Sequence, residues 1–141
     1  MKKNEVVTKL KKGAFINTDP CYIFGESHEK WLSILNATNY FDGYCVVEGY
    51  AMFGAGTQHG DGQYLDEENR TYSVDAGLLS AIPMGLARKF GYNKNRIESE
   101  LVKRGHANIV RFDTDFECSR DENGTIKFGH ITIKTGSDDE E

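Results

Sequence analysis

Cys21, His59 and three aspartates, Asp19, Asp61 and Asp75, are the residues whose types invite chemistry. A cysteine reacts as its thiolate, so it needs a nearby base and a third group to hold that base in one tautomer. Cys21 directly follows Asp19-Pro20. The proline keeps Asp19 out of the helical region, so residues 18–22 read as a turn that presents a carboxylate. His59 lies in a glycine-rich stretch, and Asp75 precedes Ala76-Gly77. Cys21, His59 and Asp75 are therefore the catalytic candidates. Each also has a purely architectural reading. Cysteine is among the most buried residue types, and a carboxylate beside a tight Ala-Gly turn is suited to accepting backbone hydrogen bonds.

The stretch from Gly54 to Tyr64 carries glycines at 54, 56, 60 and 62, so it bends freely and other groups can approach its backbone closely. Asp19, Gly60, Asp61, Gly62 and Tyr64 are the candidate ligand-binding residues, on the reasoning that polar loops fed by a rigid scaffold commonly carry sites. The glycines do not form a phosphate loop. Their spacing is Gly-x-Gly-x-x-x-Gly-x-Gly, no helix pattern follows, and there is no Gly-Lys-Ser/Thr. Backbone amides in such a loop can still form an anion-binding concavity. Asp113-x-Asp115-x-Glu117 opens like a calcium loop but has Cys118 where a glycine must turn the chain. The alternative calcium set, Asp66, Glu67 and Glu68 with Asp61, has no regular spacing. Cys21, Cys45, Cys118 and the four histidines contain no paired zinc-ligand spacing. No metal or cofactor is expected.

The chain has 141 residues, enough for one domain with its own core. Its formal net charge of −5 argues against general nucleic-acid binding, though not against a local basic patch. No apolar run approaches the span of a membrane helix, and no signal-type apolar segment follows Met1-Lys2-Lys3-Asn4. Residence in the cytoplasm, with three free and mostly buried thiols, is the expectation.

The elements that must position these residues begin with Val6–Thr8 and Ala14–Asn17, read as an opening hairpin around Lys11-Lys12-Gly13. Ser27 is a helix N-cap, and Trp31, Ile34, Leu35 and Thr38 share one face of a helix over residues 28–37. Tyr44–Phe53 reads as one long strand. Asp66–Asn69 is turn chemistry, Thr71–Val74 a strand, and Leu78–Ile82 a buried segment stopped by Pro83. Short helices are expected after Met84, ending at Gly91, and from about residue 95, ending at Gly105. Alternation over 108–119, the Asn123-Gly124 turn and a return over 125–135 predict a C-terminal hairpin. The whole reads as a single α+β domain over residues 1–136, mainly antiparallel sheet arranged as a sandwich or partly open barrel, with one to three short helices. Residues 137–141 form an acidic tail expected to be disordered. An unpaired edge strand leaves a homodimer open.

Asp19-Pro20-Cys21-Tyr22, Gly60-Asp61-Gly62-x-Tyr64 and Val74-Asp75-Ala76-Gly77-Leu78, in this order, resemble a family of small uncharacterised bacteriophage and prophage proteins. Members similarly place a Trp-containing helix after the first motif. The resemblance covers roughly residues 14–83 and implies a phage-encoded accessory protein acting in the host bacterial cytoplasm. The leading expectation is a non-catalytic protein that binds a host protein or a small anionic metabolite or signal and so modulates or counteracts a host system. The alternatives are a small hydrolase or transferase using Cys21 or the carboxylates, and a structural virion or assembly component.

Overall fold

The structure, a computed structural model, describes residues 5–136. The acidic tail at 137–141 lies outside the described residues. The first strands are β1 (Val6–Leu10) and β2 (Gly13–Thr18). They do not form the expected hairpin. β1 pairs with β9 (Phe116–Arg120) in one sheet, whereas β2 lies between β7 (Leu78–Pro83) and β8 (Ala107–Phe112) in another. Lys11-Lys12-Gly13 is a corner between sheets, where Gly13 takes φ +147. Alternation marks each run as half-buried but carries no information about which sheet buries it.

After β2 come a single helical turn, α1 (Cys21–Phe24), and α2 (His28–Ala37), whose bounds match the expectation. Ser27 caps α2 by accepting the Lys30 amide at 3.3 Å. The chain then runs through Asn39, Tyr40 and Phe41, all at φ 52–60, a costly left-handed run for residues with a Cβ. Phe41 offsets the strain: it is fully buried, with Phe24 and Trp31 each stacked on it at 5.8 Å. The expected long strand from Tyr44 is instead a hairpin, β3 (Gly43–Val47) and β4 (Tyr50–Gly56). Glu48 and Gly49 both have positive φ, as a two-residue turn of this hand requires. Non-glycine Glu48 gave this turn no sequence signal.

A small hairpin, β5 (Gly62–Leu65) with β6 (Thr71–Val74), precedes β7. Helix α3 (Met84–Lys89) follows Pro83; α4 (Lys94–Ile97) continues into a wider π-type segment, Glu98–Val102. The C-terminal third corrects another expectation. Residues 108–119 are two strands in different sheets, broken at 113–115, and the return is itself a hairpin of β10 (Thr125–Phe128) and β11 (Ile131–Lys134). The Asn123-Gly124 turn is real, and it joins β9 to β10.

The result is an antiparallel, strand-dominated α+β domain of open sheets, with order β3-β4-β7-β2-β8 in one and β1-β9-β10-β11 in the other. One face of the five-stranded sheet packs on the four-stranded sheet through Phe15, Phe53, Phe112, Phe116 and Phe128. Its other face, with Ile16, Met52 and Ile82, is covered by the helices. Among the described residues no helix is long and apolar enough to cross a membrane.

Close backbone approach at Gly54 has a specific cause: a Cβ there would lie 2.6 Å from both the Cβ and the carbonyl oxygen of buried Phe41. At Gly60, φ is +76 but the space beyond is open. Gly54→Ala is therefore expected to cost about 2–3 kcal/mol by overpacking, and Gly60→Ala only about 1 kcal/mol of backbone strain. Urea unfolding of the two variants should show the order, with Gly54→Ala the less stable.

Candidate functional site

Two sequence motifs meet at the carboxylate of Asp19, which leaves the end of β2 and is fully buried. Its Oδ1 accepts the Cys21 amide at 3.0 Å, and its Oδ2 accepts the amides of Asp75 at 3.0 Å and Ala76 at 2.7 Å. The knot continues outward from Gly77. The Gly77 carbonyl accepts the Thr57 amide at 2.9 Å, the Thr57 hydroxyl donates to the Gly60 carbonyl at 2.7 Å, and Tyr64 Oη donates to that same carbonyl at 2.8 Å. Gly77 packs so close to Gly60 that a Cβ on it would stand 3.5 Å from Gly60 Cα. Positive φ at Gly60, Gly62 and Gly77 makes these turns possible.

The structure therefore brings together Asp19, Cys21, Asp75, Gly60 and Tyr64, with Asp61 beside them, but uses them mainly on one another. Asp19 and Tyr64, expected to meet a ligand, spend their polar atoms on the backbone, Asp19 because full burial leaves no water to satisfy it. Asp61 and Gly62 remain exposed. His59 is exposed on the loop rather than set against the thiol. The imidazole near Cys21–Tyr22 is His106, whose ring stacks on Tyr22 at 4.5 Å and whose carbonyl accepts the Thr18 hydroxyl at 2.8 Å. In sequence, His106 stood only among possible zinc ligands, because nothing local ties it to residue 22.

Electrostatics oppose a reactive thiolate here. Burial, reinforced by the negative charge of Asp19, pushes the Cys21 thiol well above its ordinary range. Burial first, then the neighbouring Cys21, Asp75, Asp19 and Asp61, raises the Tyr22 hydroxyl to about 12. The His106 imidazole is pushed down by burial and then by Arg104, with Asp75 acting in the opposite sense. Activated cysteines occupy electropositive surroundings, the reverse of this arrangement.

Asp66 forms a second carboxylate knot. It accepts the amides of Glu68 and Arg70 at 2.8 and 3.0 Å, Arg70 Nε at 2.8 Å and Tyr72 Oη at 2.8 Å. Burial opposes ionisation, but these donors outweigh it and hold the carboxyl below its usual range. The carboxylate once weighed for calcium is thus saturated by protein donors, and no group of three possible metal ligands occurs among the described residues.

A second place on the molecule gathers cationic side chains around a concavity. A cleft of about 550 Å³ opens where the β1–β2 corner, β8, the start of β4 and α3 meet, and its lining includes Lys11, Lys12, Arg88, Arg111 and Tyr50. The corner exposes the two lysines. It is pinned by the Lys12 amide donating to Asp115 Oδ1 at 3.0 Å and by Lys11 Nζ, 3.7 Å from Asp115 Oδ2. Arg111 sits opposite Ala14 in the β2–β8 register, on the helix-covered side of the sheet. Arg88 lies in the last turn of α3. Among the described residues neither Arg88 nor Arg111 has a carboxylate partner. No motif announced this cleft, since its cations come from positions 11, 12, 88 and 111. Comparison with family models, curated proteins and solved structures found no match to this chain.

Two outcomes follow from the carboxylates. Asp19→Ala strands three backbone donors and should cost about 3 kcal/mol, whereas Asp61→Ala, at an exposed position, should change stability by less than about 0.5 kcal/mol; paired urea titrations measure both. Asp66 has a lowered folded pKa, so its stabilisation is complete above the unfolded value near 4 and is lost as pH falls through the folded one. The melting-temperature gap between the parent and Asp66→Asn is therefore expected to be constant from pH 7 to 5 and to narrow below about pH 4.

Proposed function

We propose that the protein is a non-catalytic binding protein that takes a small anionic ligand into the basic cleft and acts by occupying it. The observation that carries this reading is the gathering of four cationic side chains from the β1–β2 corner, β8 and α3 around one concavity, in a chain whose formal net charge is −5. Arg88 and Arg111, without acid partners among the described residues, keep their attraction for an incoming anion, and a concave wall strengthens it. The volume falls within the usual range for small-molecule sites. The motif resemblance supports the setting: a phage-type accessory protein working in the cytoplasm of a bacterial host, where sequestering or sensing an anionic metabolite or signal modulates a host system. The raised thiol of Cys21 and the full use of Asp19 by backbone donors favour binding over thiol or carboxylate catalysis.

Thermal-shift measurements at low ionic strength test the reading with inorganic pyrophosphate as probe. The parent melting temperature should rise with pyrophosphate and the gain should shrink at 0.5 M salt, on the order of the screening expected for exposed charges. The double variant Arg88→Glu/Arg111→Glu should fold but show no gain. A parent that ignores pyrophosphate, or a double variant that responds as strongly, would sink the proposal.

A further inference from the structure

The cleft is too large for an isolated phosphate and has two chemically different walls. At the sheet corner, Lys11, Lys12 and Arg111 come close together because Gly13 and Ala14 pair with Phe112 and Arg111. The other wall is formed by the start of β4 and by α3. There Tyr50 lies against the backbone of Gly85, where a Cβ would stand 2.8 Å from Tyr50 Cε2 and 3.1 Å from its hydroxyl oxygen. Any side chain at 85 would push the ring from this position. Tyr50 is only half-buried, and among the described residues none hydrogen-bonds its hydroxyl, so ring position rather than polar bonding is what the Gly85 backbone secures. Arg88, one turn further along α3, brings a guanidinium to this second wall.

From this juxtaposition we infer that the cleft binds a nucleoside phosphate, with the phosphates against Lys12 and Arg111 and the base against Tyr50 and Arg88. The inference rests on the anion-binding reading above and narrows its ligand. Guanidinium groups match phosphate oxygens in a bidentate fork, and lysines add unselective point charges. An aromatic ring and an arginine plane both accept the face of a base, which phosphate contacts alone cannot recognise. Asp115 is the acidic group pinned at the corner. It engages Lys11 and the Lys12 backbone, leaving the Lys12 ammonium and Arg111 to the ligand.

Isothermal titration of the full chain with ADP and inorganic pyrophosphate separates the possibilities. ADP should bind at least about tenfold tighter than inorganic pyrophosphate, which carries two phosphates without the base, the scale of one base stacked on an aromatic ring. Tyr50→Leu, which keeps bulk beside Gly85 but removes the π face, should weaken ADP by about tenfold and leave pyrophosphate unchanged. Arg111→Gln should weaken both probes, and melting temperatures should confirm that each variant is folded. If pyrophosphate binds as tightly as ADP and Tyr50→Leu changes neither, the nucleoside assignment is overturned while the anion reading stands. If no probe binds, both fall. ADP binding that neither variant alters would place the nucleotide elsewhere and overturn the assignment as well.

Discussion

A buried carboxylate is expensive to hold: stripped of water, a lone charge costs several kcal/mol, and only hydrogen bonds to its oxygens return that energy. Asp19 offsets part of this cost with three backbone amides, one from its own turn and two from residues 75 and 76, though burial still holds its carboxyl above the usual range. Because the donors are main-chain groups, satisfying the charge dictates the path of two distant segments. The turn after β2 and the turn before β7 must lie side by side. The glycine loop is then drawn in through Gly77, Thr57 and Gly60. A residue at 19 without a side-chain acceptor would leave those amides without partners, so the constraint acts on the fold as a whole and not on one contact.

That arrangement explains why residues with chemical promise are engaged mainly by their own neighbours. Cys21 sits beside the Asp19 charge in a mostly buried position, and both circumstances favour the neutral thiol. At Gly60, Gly62 and Gly77 it is positive φ, and not lack of space, that calls for glycine. The cationic cleft lies at the opposite kind of place, a corner where the chain changes sheets. Two such crossovers, at residues 11–13 and 113–115, are tied to each other through Asp115. Sheet corners push their polar residues outward, and here that places lysines at the mouth of a cleft whose other wall is α3. A chain of net negative charge thereby acquires a local positive field.

What could be read from the sequence alone was whatever depends on neighbours within one turn or strand. Ser27 and the spacing of Trp31, Ile34 and Leu35 specify α2, because capping and helical periodicity are local. Asn123-Gly124, Pro83, Gly91 and Gly105 mark their turns and ends because their backbone preferences travel with the residue. Thr71–Val74 is a strand by composition and position alike. Partnership was not legible. Alternation over 6–8, 14–17 and 108–119 states which residues face a core, but the same pattern suits either sheet, and the choice falls to long-range packing of Phe15, Phe112 and Phe116. The Glu48-Gly49 turn escaped notice because a glutamate at φ 52 is held there by its strands and not by its own preference.

For the site, sequence determined the ingredients and the antiparallel α+β class, and it left room for a local basic patch within an acidic chain. Only the tertiary structure decided which ingredients are spent on architecture and which remain open to solvent. A carboxylate's role depends on how many donors reach it and on how much water is left around it, and both are set by segments dozens of residues away. The same holds for the cations at 11, 12, 88 and 111. Each is ordinary by itself, and they become a common surface only because β2 pairs with β8 on one side and β7 leads into α3 on the other.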